Sequence, residues 1–499
     1  MPTKPHLFSF LMYLWLMAVW GCQTSTSEET TDKLPMNVLF IAVDDLRPEL
    51  NCYGNEYIHS PNIDRLAQQG VLFEQAYCQQ AVCSPSRTSL MTGLRPDSSH
   101  VYDLSTHFRD VVPGSITTIP QHFKQQGYHS EFWGKIFHAF LLDSASWSIE
   151  GDNQDRRIEP QWPQENWRAY VTEESNALAD QNDGGGPPYE RAAVPDNAYP
   201  DGVIAEKTIQ TLNTLSQQDQ PFFLGVGFYK PHLPFNAPSK YWDLYDADEI
   251  TLPRQITPPD EAPSVALTEW GELRAYSLIP AQGEVSDSMA RNLIHGYRAC
   301  VSYTDAQIGK VLDELDRLNL RDNTIVVLWG DHGWKLGEYG DWCKHTNFEL
   351  DTQSPLIVSV PGMATAGQKT KALVELVDIY PSLCELAGLP LPDHLQGSSF
   401  VPVLNNPDQA WKKAALSQYP RQGGAVMGYS MRTAHYRYTR WQDSAGAVVG
   451  QELYDHTEDP VAHQNLVQQA EFADTVRKLD ALLTQQWKQS LVPNKPPMP

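Results

Sequence analysis

Three apolar, β-branched runs in this chain stop abruptly at polar clusters, and nothing else in the sequence restricts the fold as much. NVLFIAV (37 to 43) runs into Asp44 and Asp45, PFFLGVGF (221 to 228) into a segment holding Lys230 and His232, and TIVVLWG (324 to 330) into Asp331 and His332. A fainter run, HSEFWGKIFH (129 to 138), ends around Lys135 and His138. Strands apolar at nearly every position are covered on both faces, which is the condition of a parallel sheet. Helical stretches lie between them, such as SPNIDRLAQQG, with Ser60 at the cap, Pro61 in the first turn and Gly70 closing. The expected class is α/β, with a large, mostly parallel sheet flanked by helices. Open sheets of this kind bind ligands beyond the carboxyl ends of their strands. Asp44, Asp45, Lys135, His138, Lys230, His232, Asp331 and His332 should therefore gather along one edge.

At 499 residues the chain is long for one core, so a large domain with a smaller companion is expected. The main domain is placed at 36–410. Short strands in AVMGYSMRTAHYRYTRW and ELYDHTEDP place an α+β subdomain with an antiparallel sheet at 411–499. Residues 151–200, rich in Pro, Gly, Asn and acids, read as a long insertion, and 251–288 as a second irregular stretch. Such segments either wall a substrate site or decorate the surface.

The first 22 residues read as an export segment, since Lys4 and His6 precede LFSFLMYLWLMAVW, an apolar run too short for a comfortable membrane span. VWGC (19 to 22) resembles a bacterial lipobox, in which Cys22 would be acylated. Trp20 is atypical there, so plain secretion stays open. A polar tether fills 23–35. The expected address is the periplasm or cell envelope, with membrane attachment only through a lipid on Cys22. A net charge of -24 offers no basic field for phosphates and excludes a nucleic-acid partner. Screening over roughly 8–10 Å still leaves room for a basic cleft inside an acidic shell. Cys52, Cys78, Cys300, Cys343 and Cys384 show no CxxC spacing, so neither a zinc site nor a disulfide framework is indicated.

CSPSR at 83–87 resembles the CxPSR motif of type I sulfatases. NVLFIAVDDLRPELNCYG, SPNID, QQAVCSPSRTSLMTG, TIPQHFKQQGY, VGFYKPHLPF, DHGWKLGEYGDWCKHTNFE and MGYSMRTAHYRYT look like blocks of the iduronate-2-sulfatase branch, in order, from about residue 36 to 460. The insertion at 151–200 does not match recognisably. The resemblance implies an alkaline-phosphatase-like sandwich and a bacterial enzyme that removes sulfate from polysaccharide. It implies that Cys83 is oxidised to formylglycine (3-oxoalanine) by a formylglycine-generating or radical maturation enzyme. It also implies calcium held by Asp44, Asp45, Asp331 and His332, completed by the residue made from Cys83. Arg87, Lys135, His138, His232 and Lys344 match the remaining sulfate-site residues.

Residue chemistry agrees with parts of this. A hard cation prefers oxygen ligands, and two adjacent acids repel unless a cation lies between them; a helix-capping pair is the other reading of Asp44 and Asp45. Arg87 lies one helical turn after position 83 and should face the same way. The implied reaction has one hydroxyl of the hydrated aldehyde attack sulfur while Asp331 takes its proton. His232, with Lys344, protonates the leaving oxygen, and His138 takes the proton that lets sulfate depart. Lys230, Trp334 and Lys344 are candidates for contact with the sugar. The implied substrate is a sulfate ester on a uronate-containing polysaccharide or its oligosaccharides, such as ulvan or a glycosaminoglycan. Two alternatives are a phosphodiesterase or phosphonate hydrolase on the same scaffold, and an inert glycan-binding lipoprotein.

Overall fold

A computed structural model describes residues 35–138, 140–149, 170–182, 185–269, 271–457 and 461–493. The expected export segment with Cys22, the tether through residue 34 and residues 151–169 of the expected insertion lie outside the described residues.

The apolar runs are strands. β1 (Asn37–Val43), β2 (Val71–Phe73), β3 (His129–Gly134), β4 (Phe222–Phe228), β5 (Thr324–Gly330), β6 (Leu356–Ser359) and β7 (Lys369–Thr370) form one sheet in the order β7-β2-β6-β5-β1-β4-β3. Only β6 pairs antiparallel with its neighbours β5 and β2; the other pairings are parallel, so the sheet is mostly parallel as expected.

Alternate side chains of β1 enter two separate cores. Leu39, Ile41 and Val43 pack on one face with helices α1 (Pro61–Gln68), α4 (Pro200–Leu215) and the long α5 (Asp287–Arg317). Val38, Phe40 and Ala42 pack on the other with α2 (Cys83–Thr92), α3 (Ile119–Gln125) and α6 (Ile379–Leu386). The strand's period of two delivers apolar residues to both faces, which is why the run shows no polar alternation.

Beyond the sheet, β8 (Ala415–Arg421), β9 (Val426–Arg432), β10 (Tyr436–Asp443) and β11 (Val448–Asp455) make an antiparallel meander, packed against α7 (Ala473–Ser490) through Leu479 and Leu483. This is the smaller α+β layer the sequence predicts. It adds β8, which the residue pattern did not suggest. The described part of 170–200 holds a helix, Glu173–Gln181, and a strand, Tyr189–Ala192, paired to Phe235–Pro238. Among the described residues, no helix is long and apolar enough to cross a membrane.

Candidate active site

β5, β1 and β4 stop level with one another, and the edge strand β3 stops one residue short of them: Val43 pairs with Phe228 and with Gly330, whereas Gly134 pairs with Gly227. Asp44, Tyr229 and Asp331 therefore stand in a row across a spacing of about 4.8 Å per strand, with Lys135 one residue back at the edge. Glycine is required where this row closes up: a Cβ on Gly134 would lie 2.0 Å from the Gly227 carbonyl oxygen. The backbone N–H of Lys135 donates to that same oxygen at 2.8 Å, turning its side chain into the row. Asp201, at the start of α4, accepts from the backbone N–H groups of Tyr229 and Lys230 at 2.8 and 2.9 Å and fixes the loop that carries His232.

Helix α2 brings Cys83 to the row. All ten of its residues are buried, and its first turn faces the strand ends. Arg87, one turn on, donates from Nε to Asp331 at 2.9 Å and from Nη2 to Asp44 at 3.0 Å; its Nη1 donates to the carbonyls of Lys135 and Ile136 at 2.5 and 3.1 Å. The guanidinium is thus occupied by the protein and orients the carboxylates. Lys135 donates to Asp44 Oδ2 at 2.5 Å, and Lys344 donates to both oxygens of Asp45 at 3.0 Å. Asp44, Asp45 and Asp331 have no solvent exposure at all. Burial would raise the Asp44 carboxyl, yet Lys135 and Arg87 hold it well below the usual carboxylate range. For Asp45 burial prevails over Lys344 and its carboxyl is pushed up. Asp45 also adopts a left-handed backbone, φ 58°, a conformation that acidic residues tolerate better than most.

His332 points Nε2 into this group, 3.4 Å from Cys83 Sγ, 3.4 Å from Asp45 and 3.6 Å from Asp331, while Nδ1 meets its neighbour's carbonyl at 3.0 Å. Asp44, Asp45, Cys83 and His232 offer ligand atoms within 4.8 Å of one another, as do Cys83, Asp331 and His332. Three buried carboxylates offer the oxygen ligands that a hard divalent cation takes. Burial drives the Cys83 thiol well above its ordinary range, so the unmodified side chain is a poor nucleophile there. Burial, reinforced by Lys135, pushes His138 down to about 2, and its Nδ1 has no hydrogen-bond partner among the described residues. His232 moves the other way: burial opposes its charge, but Asp45 and Glu272 raise it.

Two residues expected near a sugar are placed differently from the rest. Lys230 is buried, and its ammonium donates to the carbonyls of His232 and Pro234 at 2.9 and 2.6 Å. Trp334 is 1% exposed, lying under the Lys344 ammonium at 4.8 Å. Both shape the loops around His232 and Lys344. One residue in the site was not anticipated. Glu272, from the irregular 251–288 stretch, lies 2.9 Å from Lys344 and 3.2 Å from His232. A short helix in a Pro-rich segment gives no periodic signal, so only its charge could have drawn notice. Arg421 of β8 was also missed; it donates to the carbonyl of His345, next to Lys344, at 2.8 Å.

Comparisons with known proteins bear on this arrangement. Residues 36–389 match the sulfatase family profile, and 337–489 match the C-terminal region of N-sulphoglucosamine sulphohydrolase. Iduronate 2-sulfatase of Mus musculus is 36% identical over 504 aligned residues, covering 87% of this chain and 89% of that one. A sulfatase of Formosa agariphila is 32% identical, covering 93% and 89%. A solved structure of a protein with its substrate D-glucosamine-2-N,6-O-disulfate shares the fold, with a TM-score of 0.70 at 23% identity over 91% of this chain and 98% of that one. Likeness of this breadth, running through the residues that build the sheet and its polar edge, places the chain in the sulfatase family, among the sulfuric ester hydrolases.

Proposed function

We propose that this enzyme removes sulfate from a sulfated carbohydrate, a uronate-containing polysaccharide or its oligosaccharides such as ulvan or a glycosaminoglycan. The nucleophile is formylglycine made from Cys83, and the cation is calcium. The observation that carries the reading is the position of Cys83, at the start of a buried helix and 3.4 Å from His332 Nε2, beside three fully buried carboxylates. An expected export segment suits an enzyme that meets polymers outside the cytoplasm, and the expected boundaries of 36–410 and 411–499 place all the strand-end residues in the larger part.

Asp44, Asp45, Asp331 and His332 would hold calcium, which when bound supplies positive charge that acidifies the nucleophile and draws electrons from the sulfuryl oxygens. The hydrated aldehyde at position 83 supplies the attacking oxygen. The remaining work falls to this chain's own side chains. Lys135 and Lys344 set ammonium groups where charge grows on the sulfuryl oxygens. Arg87 keeps Asp44 and Asp331 in place. His232, kept charged by Asp45 and Glu272, holds a proton at Nε2 for the departing sugar oxygen. His138, neutral because burial disfavours its charge, holds an open nitrogen that can take a proton. The mouse enzyme and the disulfated glucosamine complex support a sulfated sugar as the substrate class.

The test is mass spectrometry of the tryptic peptide Leu66–Arg87, followed by assays of inorganic sulfate release. Conversion of the Cys83 thiol to an aldehyde, with sulfate set free from defined oligosaccharides, is expected. Faster turnover of an aryl phosphodiester than of an aryl sulfate would favour the phosphonate-hydrolase alternative. Matured protein with its cation bound that frees no sulfate from any ester would leave only the inert binding role.

A further inference from the structure

Glu272 enters the site from a segment that no strand end supplies. Its carboxylate spans His232 Nε2 at 3.2 Å and Lys344 Nζ at 2.9 Å, with His345 Nε2 at 3.9 Å, and its side chain stays 20% exposed. The segment is anchored. Leu273 and Tyr276, which follow it, are 1% and 4% exposed in the α4–α5 core. Arg274 closes the turn by donating to the carbonyls of Glu269, Pro280 and Gly283 at 3.1, 2.7 and 3.0 Å. The Ser277 N–H donates to the carbonyls of Gly185 and Gly186. Upstream, Arg421 holds the Val265 and Ala266 carbonyls together with that of His345, so one guanidinium ties the Glu272 segment to the Lys344 loop. The carboxylate is therefore fixed beside His232 and Lys344.

Its position has a chemical consequence, which rests on the sulfatase reading and on His232 as proton donor. The leaving oxygen must come within about 3 Å of His232 Nε2. Glu272 then borders whatever the sugar ring carries on the carbon beside the sulfated one. A hydroxyl there can donate to the carboxylate. A second anion would face a like charge among largely buried groups, where such charges repel more strongly than in open water. Lys344 offsets it only in part, because the same ammonium also serves Asp45 and, in the proposed reaction, the scissile sulfate.

We propose that Glu272 sets the ring specificity of the enzyme: it accepts a hydrogen bond from a free hydroxyl beside the scissile sulfate and excludes rings that carry a carboxylate or a second sulfate at that position. The substrate is then a singly sulfated ring with a free vicinal hydroxyl, whatever charges the neighbouring sugars bear.

The experiment uses the full-length, matured enzyme and two sets of methyl glycosides, one with a single sulfate beside a free hydroxyl and one with that neighbour also sulfated. Wild type should prefer the first in kcat/KM. Glu272→Gln keeps the side-chain shape and one acceptor oxygen while removing the charge, and should shrink that preference by about tenfold or more, chiefly by lowering KM for the disulfated set. Glu272→Asp keeps the charge and should keep the preference. Equal loss on both sets in the Gln variant, or an unchanged ratio, would reduce Glu272 to a structural role and overturn the proposal. Wild-type protein inactive on every ester would instead sink the sulfatase reading itself.

Discussion

Arg87 is the most heavily committed side chain in the site, donating to two carboxylates and two carbonyls from a position with no solvent exposure. Lysine carries one ammonium and cannot reproduce that fork. Asp44 retains Lys135, so Arg87→Lys leaves Asp331 as the buried carboxylate short of its cation, a loss on the order of 3–5 kcal/mol. It should appear as a lower urea midpoint together with reduced sulfate release; unchanged values of both would contradict the geometry. His138 calls for the opposite pattern, because its Nδ1 bonds to nothing among the described residues and its removal costs no bond at that nitrogen. His138→Ala should cut kcat by about 10²–10⁴-fold with little change in melting temperature. Because burial keeps this imidazole neutral down to about 2, any acidic limb of the pH–rate profile should survive in the variant.

Among the elements, the antiparallel layer holds a titratable group that reports on its packing. Glu452 of β11 accepts from Trp441 Nε1 at 2.7 Å and from the Tyr454 hydroxyl at 2.9 Å, and burial pushes its carboxyl from 4.5 up to about 7. A raised carboxyl binds its proton more tightly when folded than when unfolded. Its contribution to stability is therefore complete below pH 4.5 and is lost as pH rises through about 7. The layer should unfold more readily at pH 8 than at pH 5, by at most roughly 3 kcal/mol from this group. Glu452→Gln should flatten that dependence in denaturant titrations; an equally steep slope would assign it to other groups. How much of this was legible follows from what each element's signal depends on. Asp44 and Asp331 could be placed together from the sequence because parallel neighbours ending in register bring their next residues side by side, and Lys135, one residue back on the edge strand, reaches Asp44 with its long side chain. β8 gave no such cue, since ALSQYPR ends in polar residues and a proline, although Arg421 at its end holds the Lys344 loop. The direction of Lys230 was equally hidden, because the two carbonyls it serves are set by the turn of its own loop.

For the whole molecule, the question is whether the antiparallel layer can be separated from the large sheet. The described residues from Pro35 onward pack as one unit, and the joint between their layers is ionic and buried. Glu349, 3% exposed, accepts from Arg432 at 3.0 Å, from Arg437 at 2.8 Å and from the Tyr77 hydroxyl at 2.7 Å; both arginines belong to the antiparallel layer. The arginines hold its carboxyl far below the ordinary range against the effect of burial. Backbone contacts join the same surfaces, with the Gln418 N–H donating to the Gln79 carbonyl at 2.8 Å, four residues before Cys83. A chain ending at residue 410 would expose this face, strip Glu349 of both cations and free the loop that Arg421 holds beside Lys344. Breaking a buried ion pair from one side costs about 3–5 kcal/mol, a large share of a domain's net stability of about 5–15 kcal/mol. Residues 36–410 expressed alone should therefore lack a cooperative melting transition and release no sulfate, as followed by circular dichroism and an anion assay. A soluble fragment that melts cooperatively and stays active would show that the large sheet holds the catalytic row without help, and that the ionic joint is dispensable.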